Sequence, residues 1–106
     1  MGGFLPLGYR ANGGGRAAMV RLEPKGAALV LHIFERYSAG DSLLTIARDL
    51  QEQEVPTARG AAWSKGTVAA ILGNRAYLGG EFPMIVDERL FERCAARRQG
   101  ASKHGR

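Results

Sequence analysis

Apolar positions fall at helical spacing twice between residues 41 and 74. In the first stretch Leu43, Ile46, Ala47 and Leu50 recur at three- and four-residue steps, which places them on one face of a helix. In the second, Val68, Ile71 and Leu72 do the same over residues 64–74. The loop between them carries Val55, Pro56, Thr57, Arg59, Gly60 and Trp63. Ser64 suits an N-cap, because its hydroxyl can accept from an otherwise unpaired backbone N–H. Trp63 and Val68 then occupy the two positions of a hydrophobic staple. Gly73 and Asn74 are stop residues.

The flanks predict further elements. Tyr9-Arg10 and residues 18–22 read as two short strands around an Asn12-Gly13-Gly14-Gly15 turn, since Asn-Gly supplies the positive φ that a tight hairpin needs. Pro24 opens a long helix with Ala28, Val30, Leu31, Phe34 and Tyr37 as its apolar stripe, and Gly40 ends it. Residues 75–82 read as a turn into an extended piece, which residues 83–86 continue or leave as an edge strand. Asp87 caps a last helix over residues 87–98 with Leu90, Phe91, Cys94 and Ala95 inward. Its acids lie near the start and its arginines near the end, in the sense that a helix dipole favours. The fold class is therefore mainly α (α+β): a helix-turn-helix-like three-helix core with a short N-terminal β-hairpin and a C-terminal helix. Residues 1–98 form one domain, and residues 99–106 a basic disordered tail.

The second short helix has an uncommon outer face. Gly66, Ala69, Ala70, Gly73 and Asn74 point away from its apolar side, with Thr67 on the flank. A solvated helix normally carries Lys, Glu and Gln there. Small side chains admit a close surface, either another protein element or the floor of a DNA major groove. Charge favours the second. The net charge is +5, and it is segregated by sign. Residues 1–22, 55–75 and 93–106 hold bases and no acid, whereas the acids gather in residues 23–54 and 76–92. Such a layout points to a polyanionic partner.

Other chemistry is poorly represented. Ser38, Ser42, Ser64 and Ser102 read as helix caps, a helix end and a tail residue, not as a nucleophile elbow. His32 and His104 are far apart. The single cysteine, Cys94, excludes an internal disulfide and a Cys-rich zinc site, and reads as a packed thiol. The glycine run has no Gly-Lys-Ser/Thr and no helix directly after it, unlike a nucleotide-binding loop. No apolar run approaches the ~20 residues that span a bilayer. The chain is expected to need no cofactor or metal, to associate with no membrane, and to be no enzyme by itself.

The whole pattern resembles the recombinase DNA-binding domain of large serine recombinases, the site-specific integrases and resolvases. Pro6-Leu7-Gly8-Tyr9 looks like the opening of that domain. Residues 33–40, Ile-Phe-Glu-Arg-Tyr-Ser-Ala-Gly, are similar to its first helix end. Ser42 with Ile46-Ala47-x-x-Leu50 fits its next helix. Val55-Pro56-Thr57, Gly60 and Trp63-Ser64 match its loop, and Val68-x-x-Ile71-Leu72-x-Asn74-x-x-Tyr77-x-Gly79 its signature. Ile85-Val86-Asp87-Glu88-x-Leu90-Phe91 resembles its closing piece, although the segment around Gly80-Glu81-Phe82 is short.

The resemblance covers roughly residues 6–95 and implies a role. The partner is double-stranded DNA, and the helix over residues 64–74 enters its major groove to read an attachment half-site. Thr67, Ala70 and Asn74 face base edges. Ser64, Lys65, Arg59 and Arg75 hold phosphates, with Thr57, while Arg10 and Arg16 follow the backbone or the minor groove. Gly60, Trp63, Tyr77 and Gly79 are architectural. The serine that cuts DNA belongs to a catalytic domain not in this chain. The full protein would act as a dimer or tetramer on DNA, in a bacterial or phage cytoplasm. A stand-alone helix-turn-helix regulator and a protein-interaction module are the alternatives.

Overall fold

A computed structural model describes residues 7–12, 19–55, 62–80 and 82–103. In chain order the elements are β1 (Tyr9–Asn12), β2 (Met19–Leu22), α1 (Pro24–Ala39), α2 (Leu43–Glu52), α3 (Lys65–Leu72), a 3-10 helix (Arg75–Leu78) and α4 (Glu88–Lys103). The mainly helical class with an N-terminal hairpin is thus as expected. β1 and β2 pair antiparallel, with Tyr9 opposite Leu22 and Arg10 opposite Arg21. Asn12, expected in the turn, instead ends β1 opposite Met19; the rest of the expected turn, residues 13–15, lies outside the described residues.

Each helix start follows from its sequence. Glu23 caps α1 with its carboxylate, which accepts from the Gly26 N–H at 2.6 Å, and Pro24 takes the first helical position. The hairpin and α1 then meet at two glycines. Gly8 adopts φ +101°, and a Cβ on Gly26 would sit 2.9 Å from the Gly8 nitrogen, so backbone packs directly on backbone. Ser42 caps α2 and Ser64 caps α3, each accepting from the N–H three residues on. Asp87 does the same for α4, through the Leu90 N–H at 2.8 Å. Gly40 ends α1 at φ 122°, a conformation with no penalty for a residue without Cβ. Glu54 takes a left-handed conformation at φ 58° just after α2, without that advantage.

The core is one cluster. Val30, Ile33, Phe34 and Tyr37 of α1 meet Ile46, Ala47 and Leu50 of α2, Val68, Ile71 and Leu72 of α3, and Phe91 and Cys94 of α4. α1 is central: α4 crosses it, and α2 and α3 pack on each other and against it. Tyr77 ties the remaining segments together. Its ring is 1% exposed, and its hydroxyl donates to the Leu7 carbonyl at 2.8 Å. Its own carbonyl accepts from the N–H groups of Ile85 and Val86 at 2.9 and 3.1 Å. Tyr9 stacks on Tyr77 with ring centroids 5.7 Å apart, and packs on Phe82.

Two expectations need correction. Residues 75–78 coil into a 3-10 helix, and residues 82–86 form no strand. The N–H groups of Ile85 and Val86 donate to the Tyr77 carbonyl instead of to a neighbouring strand. α4 also continues beyond Arg98 to Lys103, so the expected tail begins as helix.

Candidate nucleic-acid interface

α3 is presented by the loop that precedes it and the turn that follows. Trp63 closes the loop. Its backbone N–H donates to the Gln51 side chain at 2.8 Å, and its indole N–H to the Val55 carbonyl at 2.7 Å. The end of α2 and the start of α3 are therefore clamped to one another across residues 56–61. Val68, Ile71 and Leu72 bury the inner face of α3. This leaves Ser64, Lys65, Gly66, Ala70 and Gly73 exposed, and Thr67 and Ala69 half-buried. Among the exposed residues of the helix only Lys65 has a long side chain.

The polar groups at the two ends are already organised. The Ser64 and Thr67 hydroxyls lie 3.1 Å apart, and Ser64 also caps the helix. Asn74 is half-buried, and its Oδ1 accepts from the Ala76 N–H at 3.0 Å, which caps the 3-10 helix. One carbonyl lone pair of Asn74 is thus committed to the fold, while Nδ2 keeps both protons. The Arg75 guanidinium lies 5.2 Å from the centroid of the Phe91 ring of α4. That cation–π contact holds the arginine at the seam between α3 and α4.

The expected site residues separate into three groups. Ser64, Lys65, Thr67, Ala70, Asn74 and Arg75 come together along α3 and its exit. Arg10 sits on the hairpin, exposed. The hairpin is close to that exit, because the hydroxyl of the adjacent Tyr9 donates to the Pro83 carbonyl at 2.6 Å and lies 3.1 Å from that of Ala76. Arg16, Thr57 and Arg59 lie outside the described residues.

Four arginines have placements that the sequence alone did not reveal. Arg97 projects from α4 onto the end of α1. Its guanidinium donates to the carbonyls of Tyr37, Gly40 and Asp41 at 2.6–2.9 Å and lies 4.1 Å from the centroid of the Tyr37 ring. It serves the fold rather than the surface. Arg98 lies against the end of α3: a Cβ on Gly73 would come within 3.1 Å of its Nη1. Arg21 is exposed opposite Arg10. Arg36 is likewise internal, bridging Asp41 and Asp49 at 2.6 and 2.7 Å. Hydrogen bonds from those two carboxylates raise its already high pKa further.

Nothing in the described residues resembles an acid–base or metal site. Burial raises the pKa of Cys94, whose thiol donates to the Phe34 carbonyl at 3.3 Å. It is a neutral core group, not a nucleophile. Burial also raises Tyr9 and Tyr77. Among the described residues no three His, Cys, Asp or Glu side chains cluster as a metal site. No described helix is long and apolar enough to cross a membrane. A groove of about 530 Å³ beside α1, lined by Leu7, Leu29, Val55 and His32 among others, contains none of the expected site residues.

The fold and this surface define a small helical domain built to hold a short, nearly bare helix between cationic side chains. A family model described as Recombinase matches residues 24–101, and the chain belongs to that family. Membership ties it to site-specific DNA recombination. No curated protein and no solved structure matches the chain.

Proposed function

We propose that this chain is the DNA-binding domain of a site-specific serine recombinase, and that α3 reads part of an attachment half-site from the major groove. The observation that carries the reading is the exposed face of α3, where Gly66 and Ala70 leave the backbone open between Lys65 and Arg75. An eight-residue helix is about 12 Å long, and the major groove is about 12 Å wide. Long side chains on that face would hold the helix off the groove floor.

Lys65 and Arg75 take phosphates, with Ser64, Thr57 and Arg59, while Arg10 and Arg16 follow the backbone or the minor groove. Ala70 and the Thr67 methyl suit thymine methyls, and the Asn74 Nδ2 suits a base-edge acceptor. Asn74 Oδ1 has a second lone pair available for adenine N6–H while it caps the 3-10 helix. Cutting and rejoining of DNA fall to a catalytic domain elsewhere in the full protein, which would assemble on DNA as a dimer or tetramer.

Fluorescence anisotropy of the chain on random duplex DNA across a salt series tests the reading. The expected result is binding whose log affinity falls linearly with log salt, by about 0.9 per phosphate contact. Discrete dimerisation with no affinity for duplex at low salt would overturn it in favour of a protein-interaction module.

A further inference from the structure

The hairpin carries a charge arrangement that the fold does not explain. In the β1–β2 register Arg10 stands directly opposite Arg21. Directly opposed residues of an antiparallel pair share a face, with Cβ atoms about 4.5–5.5 Å apart, and like charges there repel. The inner face of the same ribbon is identified by Tyr9, which is buried against Tyr77 and Phe82. Period-2 alternation therefore turns Arg10 and Arg21 outward together, and both are exposed.

No carboxylate relieves this pair among the described residues. Their only ion pairs join Arg36 to Asp41 and Asp49. Glu23, two residues beyond Arg21, is engaged at the N-terminus of α1 through the Gly26 and Lys25 N–H groups. Two guanidinium groups on adjacent strands present donors in planar forks, a geometry that suits the oxygens of one phosphate. A bound phosphate would also cancel their mutual repulsion.

We infer that Arg10 and Arg21 form a two-arginine site for one backbone phosphate of the duplex, a contact separate from α3. The inference rests on the DNA-binding reading and adds to it: Arg21 is a binding residue, and the hairpin is a second point of attachment. Tyr9, on the inner face of the ribbon, holds the hairpin beside the turn that carries Arg75.

The test compares the unaltered chain with Arg21→Thr, Arg10→Thr and Lys65→Ala by two readouts. One is the salt slope of binding to random duplex DNA. The other is the melting temperature without DNA at low and high salt. Arg21→Thr is expected to reduce the magnitude of the salt slope by about 0.9, as for loss of one phosphate contact. It should also raise the melting temperature at low salt, because a repulsive pair is removed, with the gain shrinking at high salt. Arg10→Thr should reproduce both effects. A structural role for Arg21 would instead lower the melting temperature. An unchanged slope in both arginine variants, with a reduced slope in Lys65→Ala, would overturn this inference and leave the α3 reading intact. No duplex binding by the unaltered chain would overturn both. Inorganic phosphate separates the two sources of the anion: melting raised by millimolar phosphate but not by chloride at equal ionic strength, with unchanged duplex slopes, would assign the pair to the free anion and also overturn the inference.

Discussion

α3 and α4 are equally free of acids along the segments that make them look basic, yet their cations do different work. On α4, Arg97 points inward and satisfies three carbonyls at the end of α1, and Arg98 lies on Gly73. On α3, Lys65 is exposed and has no carboxylate partner among the described residues. The contrast teaches that a run of positive charge in sequence counts residues, whereas a binding surface depends on which guanidinium and ammonium groups the fold leaves unengaged. A basic C-terminal segment is partly a structural clamp.

The sharpest break of that comparison is at the α1–α4 junction. Arg97→Ala should cost roughly 2–3 kcal/mol in denaturant unfolding, because it leaves carbonyls at the end of α1 without their charged donor. Arg97→Lys should recover little, since one ammonium cannot span three carbonyls and stack on Tyr37. Recovery of full stability by lysine would show that only charge matters there. On the other side, Lys65→Ala should change stability by no more than about 0.5 kcal/mol, as surface substitutions do, while weakening duplex binding.

Alkaline pH sharpens the picture of the core that supports both helices. Tyr77 is buried, and its folded pKa lies above the ordinary value of 10. The unfolded chain therefore loses this proton first as pH rises. The contribution is intact below pH ~10 and lost as pH climbs toward the folded value, at up to ~1.4 kcal/mol per pH unit. Tyr77→Phe should flatten that loss and cost about 1 kcal/mol near neutrality through the missing bond to the Leu7 carbonyl. An unchanged alkaline limb in Tyr77→Phe would assign the loss to other groups.

Smaller effects test the α3 entrance. Ser64→Ala should cost about 1 kcal/mol and lower affinity for DNA, because the cap also fixes where Lys65 begins the helix. Glu54→Gly should stabilise by about 1 kcal/mol, since φ 58° is strained for a residue with a Cβ. Equal stability of Glu54→Gly and the unaltered chain would mean that interactions of the glutamate side chain offset the strain.

Legibility followed the range of the interaction. Helix caps at Ser42, Ser64 and Asp87, the stop at Gly40 and the strand pairing were readable because each is settled within a few residues. The buried faces of α2 and α3 were readable because helical periodicity marks them, and that of α1 in part: Val30, Phe34 and Tyr37 are buried, but Ala28 is exposed and Ile33, outside the expected stripe, is buried. The 3-10 helix at residues 75–78 was not. Its backbone is organised by Asn74 and by Tyr77, whose hydroxyl partner Leu7 is far away in sequence. The uses of Arg97 and Arg98 were hidden for the same reason: nothing local distinguishes an arginine that crosses to another helix from one that faces solvent. Asn74 was legible as a helix stop, but its capping of the 3-10 helix shows only in the folded chain.

In the reading proposed above, α3 and not the α4 end faces the polyanion. The most direct measurement is the salt dependence of duplex binding for Lys65→Ala and Arg97→Ala side by side, at a temperature where both remain folded by circular dichroism. The expected result is a slope shallower by about 0.9 for Lys65→Ala and an unchanged slope for Arg97→Ala. A shallower slope for Arg97→Ala with none for Lys65→Ala would contradict it and move the interface to α4.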